Sequence, residues 1–395
     1  MENKHNKILF IGSACPLGMY AELQRQGAIS DYAAYTFQEA IISGLLENGC
    51  ELEVLTAPSI KSYPRCSMLM HKGFSIQDND GVKWHGVGFI NIPVVRLVCN
   101  FITESIALYK MHDDDRDIII YSLPSFQLLA STLFARKNKK YVIITDLPEF
   151  MSGSRNPIYR ILKKIDRWII SSALRYINGC VLLSRSMLER LNINDKPYIV
   201  VEGIYTVSST HIKGVKYPKT VLYTGAIEER YGLRDLLEAF TRIDGPEYRL
   251  WLCGGGDIQM VKEYTNKDSR IVYYGSLPHE KVLQMQREVA LLVNPRHSNE
   301  EFTKYSFPSK TMEYMASGTP TLMCRLASIP AEYYEHLFFF DDESILGMSS
   351  RIKELLDAPY GEVNKIGTAA SEFIKAQKNS KIQTGRILNM ILDNR

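Results

Sequence analysis

The sequence is poor in the features that commit a chain to a membrane, to disulfides or to nucleic acid. Nowhere do about 18 apolar residues run together, the length a spanning helix needs, and the apolar run after the basic start MENKHNK is too short for a secretory signal. Seven cysteines, at positions 15, 50, 66, 99, 180, 253 and 324, are odd in number and never spaced Cys-x-x-Cys. Their spacing encodes neither a disulfide framework nor a zinc site, and a reducing cytoplasm is the expected compartment. Against 47 Lys and Arg stand 44 Asp and Glu, a net charge of +3, with no dominant basic stripe, so nucleic acid is not an expected partner. Gly12 and Gly18 stand alone and make no dinucleotide fingerprint. The acidic run Asp113–Asp117 lacks calcium-loop spacing and reads as a solvated turn.

What is present is an α/β rhythm long enough for two domains. With 395 residues, 45% apolar and 23% charged, a single core is unfavourable and two of roughly 200 residues are the natural division. Strand-like Lys7–Gly12, helical Tyr35–Asn48 and strand-like Glu51–Thr56 make a β-α-β start. The stretch between the first strand and helix, Ser13–Tyr32, reads as a long loop at the ligand edge of a sheet, which makes Gly12 and Ser13 candidates for an acceptor-side lip. Strand Tyr141–Thr145 runs into Asp146-Leu147-Pro148-Glu149, putting Asp146 and Glu149 at the same kind of edge. The rhythm breaks at 204–219, expected as a linker after a domain at 1–203, and restarts at Thr220 in a domain at 220–372.

Two segments carry chemistry. From Pro157 to Ile177, Ile158, Ile161, Leu162, Ile165, Trp168, Ile169, Ala173 and Tyr176 share one helical face and Arg160, Lys163, Lys164, Arg167 and Arg175 the other. Such a helix either lies on an anionic membrane surface or packs on a core with its basic face in water. Tyr305–Pro320, YSFPSKTMEYMASGTP, reads as a loop feeding a short helix that Ser306 or Ser309 caps, that tolerates Pro308 in its first turn, and that Gly318 and Pro320 end. Its first turn offers backbone N–H groups and a positive dipole end, with Lys310 beside them, to a diphosphate. Glu313, one turn in, can accept two hydrogen bonds from a vicinal diol. Arg296, in the Asn-Pro-Arg that follows an apolar strand, and Arg230, in the turn after strand Val221–Thr224, are further phosphate candidates.

The second half then resembles a known family. YTGAIEERYGLRDLLEAF, LWLCGGGD, YYGSLPHEKVL and YSFPSKTMEYMASGTPTL follow one another as in the C-terminal domain of GT-B glycosyltransferases, closest to glycosyltransferase family 4 (glycosyl transferases group 1), over about Thr220–Asp342. The first half is similar more weakly, through its first strand and turn, TDLPE, LLSRSM and VVEGI.

That resemblance implies two Rossmann-like domains facing across a cleft, with residues 373–395 a helix crossing back to the first. It implies transfer of a hexose-type sugar from a nucleoside diphosphate sugar to a glycan or lipid-linked acceptor, retaining and without a metal or other cofactor. Glu313 matches the ribose-binding member of a glutamate pair in the family. Eight positions earlier stands Tyr305 where the family has the other glutamate, so sugar contacts would come from Tyr305, Ser306, Phe307, Pro308 and Ser309. The family's basic pair near Gly225 is replaced by Ala226 and Tyr231, leaving the diphosphate to Arg230 and Lys310. Asp146 would orient the acceptor hydroxyl or act as base, Lys310 would serve the leaving group, and the protein would work on cell-surface polysaccharide or glycolipid, peripheral on the inner face of the membrane. A non-catalytic binding partner of the same fold, or a sugar-nucleotide epimerase, is the alternative reading.

Overall fold

The computed structural model describes residues 6–29, 31–111, 115–147, 157–206 and 216–394. It divides into two compact units, the first made of residues up to Ile204 together with those from Ser380 onward, the second of Tyr205–Asn379.

The strands of the first unit are β1 (Lys7–Gly12), β2 (Glu51–Thr56), β3 (Met70–His71), β4 (Phe74–Gln77), β5 (Lys83–Gly86), β6 (Phe89–Ile90), β7 (Asp117–Tyr121), β8 (Lys140–Ile144), β9 (Gly179–Leu182) and β10 (Tyr198–Val200). β3 and β6 pair by themselves, and the rest form one sheet in the order β10-β9-β8-β7-β1-β2-β5-β4, parallel except for the antiparallel pair β4 and β5. Every residue of β7, β8 and β9 is buried, which is why Ile118-Ile119-Ile120 and Val142-Ile143-Ile144 are continuous apolar runs: both faces of a parallel sheet are covered. The covering helices are α1 (Leu17–Arg25), α2 (Tyr32–Glu47), α3 (Val95–Lys110), α4 (Ser125–Phe134), α5 (Pro157–Leu174) and α6 (Met187–Leu191).

α1 corrects the expectation of a long loop at 13–32. Only Tyr20 and Leu23 of this helix are buried, so the apolar stripe that betrays a helix is just two residues wide. α5 corrects the other amphipathic reading. Its Ile161, Leu162, Ile165 and Trp168 are exposed, Trp168 by 70%, while Ile170, Ala173 and Leu174 are buried. The last turns pack on the unit and the earlier ones leave apolar side chains in water.

The second unit holds β11 (Tyr217–Thr224), β12 (Arg249–Cys253), β13 (Ile271–Tyr273), β14 (Val289–Asn294), β15 (Thr321–Met323) and β16 (Phe338–Phe339). They are ordered β13-β12-β11-β14-β15-β16 and all parallel. Its helices are α7 (Leu233–Thr241), α8 (Ile258–Thr265), α9 (His279–Glu288), α10 (Ser309–Ser317), α11 (Ile345–Asp357) and α12 (Tyr360–Gln377). Of the expected linker 204–219, Tyr205 already bridges Asn379 and Tyr217–Lys219 belong to β11; 207–215 lie outside the described residues.

The expected single helix across 373–392 is two. α12 ends at Gln377 and α13 (Ser380–Asp393) follows a break where the Tyr205 N–H donates to the Lys378 carbonyl and the buried Lys378 ammonium pairs with Glu332 at 2.5 Å. α13 belongs to the first unit and packs on α2. A Cβ on Gly44 would strike the Ser380 carbonyl, so glycine there lets the two helices close. The Asn48 amide then bonds the Lys381 carbonyl and Thr384 Oγ1, both at 2.9 Å.

Candidate functional site

In the second unit the strand order reverses between β11 and β14, and ligands of open α/β sheets bind at the carboxyl ends of strands where this happens. Two loops leave the sheet at that point, 225–232 after β11 and 295–308 after β14. Gly232 locks them together. Its φ is +74°, and a Cβ there would run into the Pro295 carbonyl oxygen, so a side chain would be strained and would push the loops apart.

The two arginines singled out from sequence meet on one aromatic ring. Gly225, half-buried at the end of β11, opens the loop that carries the 3-10 turn Glu229–Tyr231. The guanidinium carbons of Arg230 and Arg296 lie 4.8 and 4.6 Å from the centre of the Tyr231 ring. Arg230 is exposed and already engaged, its Nε 2.7 Å from Glu228 and its Nη2 donating to the Tyr231 hydroxyl at 2.8 Å. Arg296 differs. It also lies over Phe302, at 5.3 Å, its Nε is buried with no partner among the described residues, and burial holds its guanidinium below its ordinary range. Tyr231 is thus the platform on which two cations rest.

α10 forms over Ser309–Ser317 and Gly318 closes it in the left-handed conformation, φ +83°, as its sequence predicts. The expected serine cap is absent. Pro308 is the N-cap and no side chain caps the helix; the Ser306 hydroxyl donates to the Phe302 carbonyl at 3.3 Å, and the exposed Ser309 is already the first helical residue. Tyr305 ends the 3-10 turn Glu301–Lys304, and Phe307 is buried with its ring 5.3 Å from that of Tyr333.

Glu313 sits half-buried under three partners. The Gln286 amide donates to its Oε1 at 2.6 Å, Lys310 Nζ lies 3.0 and 3.2 Å from its two oxygens, and His279 Nε2 is 3.9 Å from Oε2. Lys310 therefore rests on Glu313, one turn along the same helix, rather than standing free at the helix start. Behind them the Tyr314 hydroxyl, fully buried, accepts from the Thr224 N–H at 2.7 Å and donates to the Thr224 carbonyl at 2.9 Å. This ties α10 to the end of β11. Gln286, His279 and Tyr314 were not anticipated, because two of them lie on α9 and Tyr314 looks like one more apolar face residue.

The first unit has its own reversal, between β1 and β7. Gly12 is buried at the end of β1, and the Gln38 side chain fills the space a Cβ would need. Gln38 Oε1 accepts from the Ser13 and Ala14 N–H groups at 2.7 and 3.1 Å and its Nε2 donates to Ser13 Oγ at 3.0 Å. Asp146 follows β8 and is exposed, yet partial desolvation and the nearby Asp31 carboxylate raise its carboxyl above the ordinary range, against the Thr145 hydrogen bond that lowers it. Tyr121, at the end of β7, feels both carboxylates. Asp31 caps α2 through the Ala34 N–H at 3.0 Å, and sequence reasoning had passed over it. Glu149 lies outside the described residues.

Residues 218–358 match the family model "Glycosyl transferases group 1". No curated protein sequence matches. Among solved structures the chain is similar to Anabaena HepE in complex with UDP (TM-score 0.66, 12% identity, covering 98% of this chain and 100% of that one). It is similar also to sucrose-phosphate synthase from Thermosynechococcus elongatus (0.65, 15%, 99% and 100%) and to the lipopolysaccharide outer core galactosyltransferase WaaB in its apo form (0.64, 15%, 98% and 100%). Strand order, the two Rossmann-type sheets and these likenesses agree: residues 218–358 of the second unit match the glycosyl transferases group 1 model, and the chain has the GT-B fold.

Proposed function

We propose that this chain transfers a sugar from a nucleoside diphosphate sugar to a glycan or lipid-linked acceptor, with retention, in the building of a cell-surface polysaccharide or glycolipid. The observation that carries the proposal is Glu313, a carboxylate fixed by Gln286 one turn inside an uncapped helix at the point where the strand order reverses. A ribose diol on Glu313 and a diphosphate at the first turn of α10 follow from hydrogen-bond chemistry and the helix dipole. HepE, bound to UDP and in another crystal to UDP-glucose, makes uridine nucleotides the first donors to try.

As the bond from the anomeric carbon to the diphosphate breaks, its electron pair goes to the leaving oxygen. The growing charge would be met by the first-turn N–H groups, Lys310, Arg296 and Arg230. The acceptor oxygen bonds to the anomeric carbon and gives up its proton, with Asp146 orienting the hydroxyl or taking the proton.

No described helix is long and apolar enough to cross a membrane. Association with the inner face would instead use α5, whose exposed Ile161, Leu162, Ile165 and Trp168 lie among Arg160, Lys163, Lys164 and Arg167. α4 packs between α5 and α3, and α3 also exposes Leu97, Val98, Ile102 and Ile106. Apolar side chains in water beside basic ones are the composition of an interfacial helix.

A panel of nucleotides and nucleotide sugars tests the donor. A true ligand at about 100 times its dissociation constant should add roughly 2.7 kcal/mol to stability, and release of nucleoside diphosphate only when acceptor is added separates a transferase from an epimerase or a binding relic. A melting temperature unmoved by every nucleotide would overturn the proposal.

A further inference from the structure

Outside the residues assigned to transfer, three ligand-type side chains of the second unit converge. His297 lies in the loop after β14, Cys324 directly follows β15, and Glu343 lies between β16 and α11. Because β14, β15 and β16 are neighbours in the sheet, their carboxyl ends bring the three together, and one donor atom from each lies within 4.8 Å of the others. No local spacing announces this.

The hydrogen bonding around the imidazole is what points to a cation. His297 Nε2 is 2.7 Å from Asp235 Oδ2, in the first turn of α7, so that nitrogen carries the proton. A neutral ring then turns the lone pair of Nδ1 toward Glu343 Oε2, 3.3 Å away. Two lone pairs facing each other repel unless a positive charge stands between them. A second ring proton would supply that charge, and so would a soft divalent cation, which could in addition take the sulfur of Cys324, a buried thiol hydrogen-bonded to the same Glu343 carboxylate. Glu343 is fixed in turn by the Ser298 N–H at 3.0 Å. A histidine whose far nitrogen donates to a carboxylate is also how metal-binding imidazoles are oriented.

We propose that His297 Nδ1, Cys324 Sγ and Glu343 Oε2 bind a thiophilic divalent cation, zinc(II) foremost, with Asp235 orienting the imidazole and water as the fourth ligand. Cys324 is fully buried, whereas the His297 and Glu343 side chains keep 20 and 25% exposure, which leaves a way in for metal and water. Binding replaces the thiol proton by the metal and releases one proton to solvent. The ion would staple the loop that carries Arg296 to the ends of β15 and β16, and it takes no part in sugar transfer.

The test uses the full chain, stripped with EDTA and titrated with cobalt(II). We expect one equivalent bound, four-coordinate visible bands, a thiolate-to-cobalt band in the near ultraviolet, displacement by zinc(II), and one proton released per metal. Cys324→Ser should lose the thiolate band and His297→Gln should abolish uptake, both melting in EDTA as the parent does; Asp235→Asn should weaken binding about 10- to 100-fold. If either ligand variant fails to fold, the parent's proton count and thiolate band still decide. No uptake, as for an imidazolium clamped between two carboxylates, or a thiolate band that persists in Cys324→Ser, would overturn the proposal.

Discussion

Gln286, a residue with no solvent exposure on α9, donates its amide to Glu313 on α10 at 2.6 Å. The same Nε2 lies 3.2 Å from Thr224 Oγ1 at the end of β11. One buried amide thereby sets the position of the carboxylate assigned to ribose. Glu313→Ala should weaken nucleotide binding by about 1.5–3 kcal/mol, the value of a hydrogen bond to a charged group. Gln286→Met should cost less, about 1 kcal/mol, and the double variant little more than Glu313→Ala alone, because the two act through one group. Calorimetric titration of the four proteins checks this, and strictly additive losses would show that Gln286 does not act through Glu313.

Lys310→Ala should depress turnover more than affinity. The diphosphate gains charge as the glycosidic bond breaks, so a cation there is felt mainly in the transition state. In the unliganded chain Lys310 rests on Glu313, and a diphosphate would compete with that carboxylate for it. An equal fall in nucleotide affinity and in kcat/KM would assign Lys310 to binding alone.

Asp146→Asn, in the first unit, should leave nucleotide affinity unchanged and lower transfer. Its carboxyl is held above the ordinary range by desolvation and by Asp31, so if the ionised form is needed, the rate falls as pH drops through that raised value. Asp31→Asn removes the neighbouring charge and should move the acidic limb to lower pH. A limb that stays in place would release Asp146 from any proton-handling role.

Flotation with anionic vesicles should carry the parent protein and lose both Trp168→Ala and the double variant Lys163→Glu, Lys164→Glu, since each basic side chain near such a leaflet contributes about 1 kcal/mol. Equal flotation of all three proteins would leave α5 without a membrane role.

Glu104, 1% exposed on α3, accepts one bond from Gln127 at 2.7 Å and leaves Oε2 without a partner. Burial raises its carboxyl from 4.5 to about 8. The folded chain therefore binds a proton that the unfolded chain releases between those values, and the stability this group contributes at low pH is lost as pH rises toward 8. Glu104→Gln keeps the Gln127 contact without the titration, so it should flatten the dependence and stabilise the chain at pH 8.5 by more than about 1 kcal/mol. Parallel urea unfolding curves across pH for the two proteins are the check, and an unchanged slope would mean that Glu104 stays ionised.

The sequence was most readable where cause and effect are neighbours in the chain. α10 could be drawn from the spacing of Met312, Met315 and Ala316 and from Gly318, because helix period and stop are local properties. Its cap could not, since Ser306 found a competing acceptor in Phe302. Gln286 was invisible because it reaches Glu313 from another helix. In α5 the period showed which residues share a face, but period alone does not say which face turns inward, and the exposed Trp168 shows that the rule of apolar side inward fails there. α1 was missed because two buried residues are too few to make a pattern. The His297, Cys324 and Glu343 grouping depends wholly on three strands lying side by side.

The contact of α13 with α2 has a consequence for how the chain is made. Residues 380–394 are translated after all of the second unit, yet Asn48 and Gly44 receive their partners from them. The second unit is one uninterrupted segment, so all of the residues that make it up are synthesised before Ser380. The first, although begun earliest, waits with Ile41, Ile42 and Leu45 short of the Ile387, Leu388 and Ile391 that complete their cluster. The half that starts first is the half completed last, and a chain stopped at residue 379 would carry its damage some 330 residues upstream of the stop.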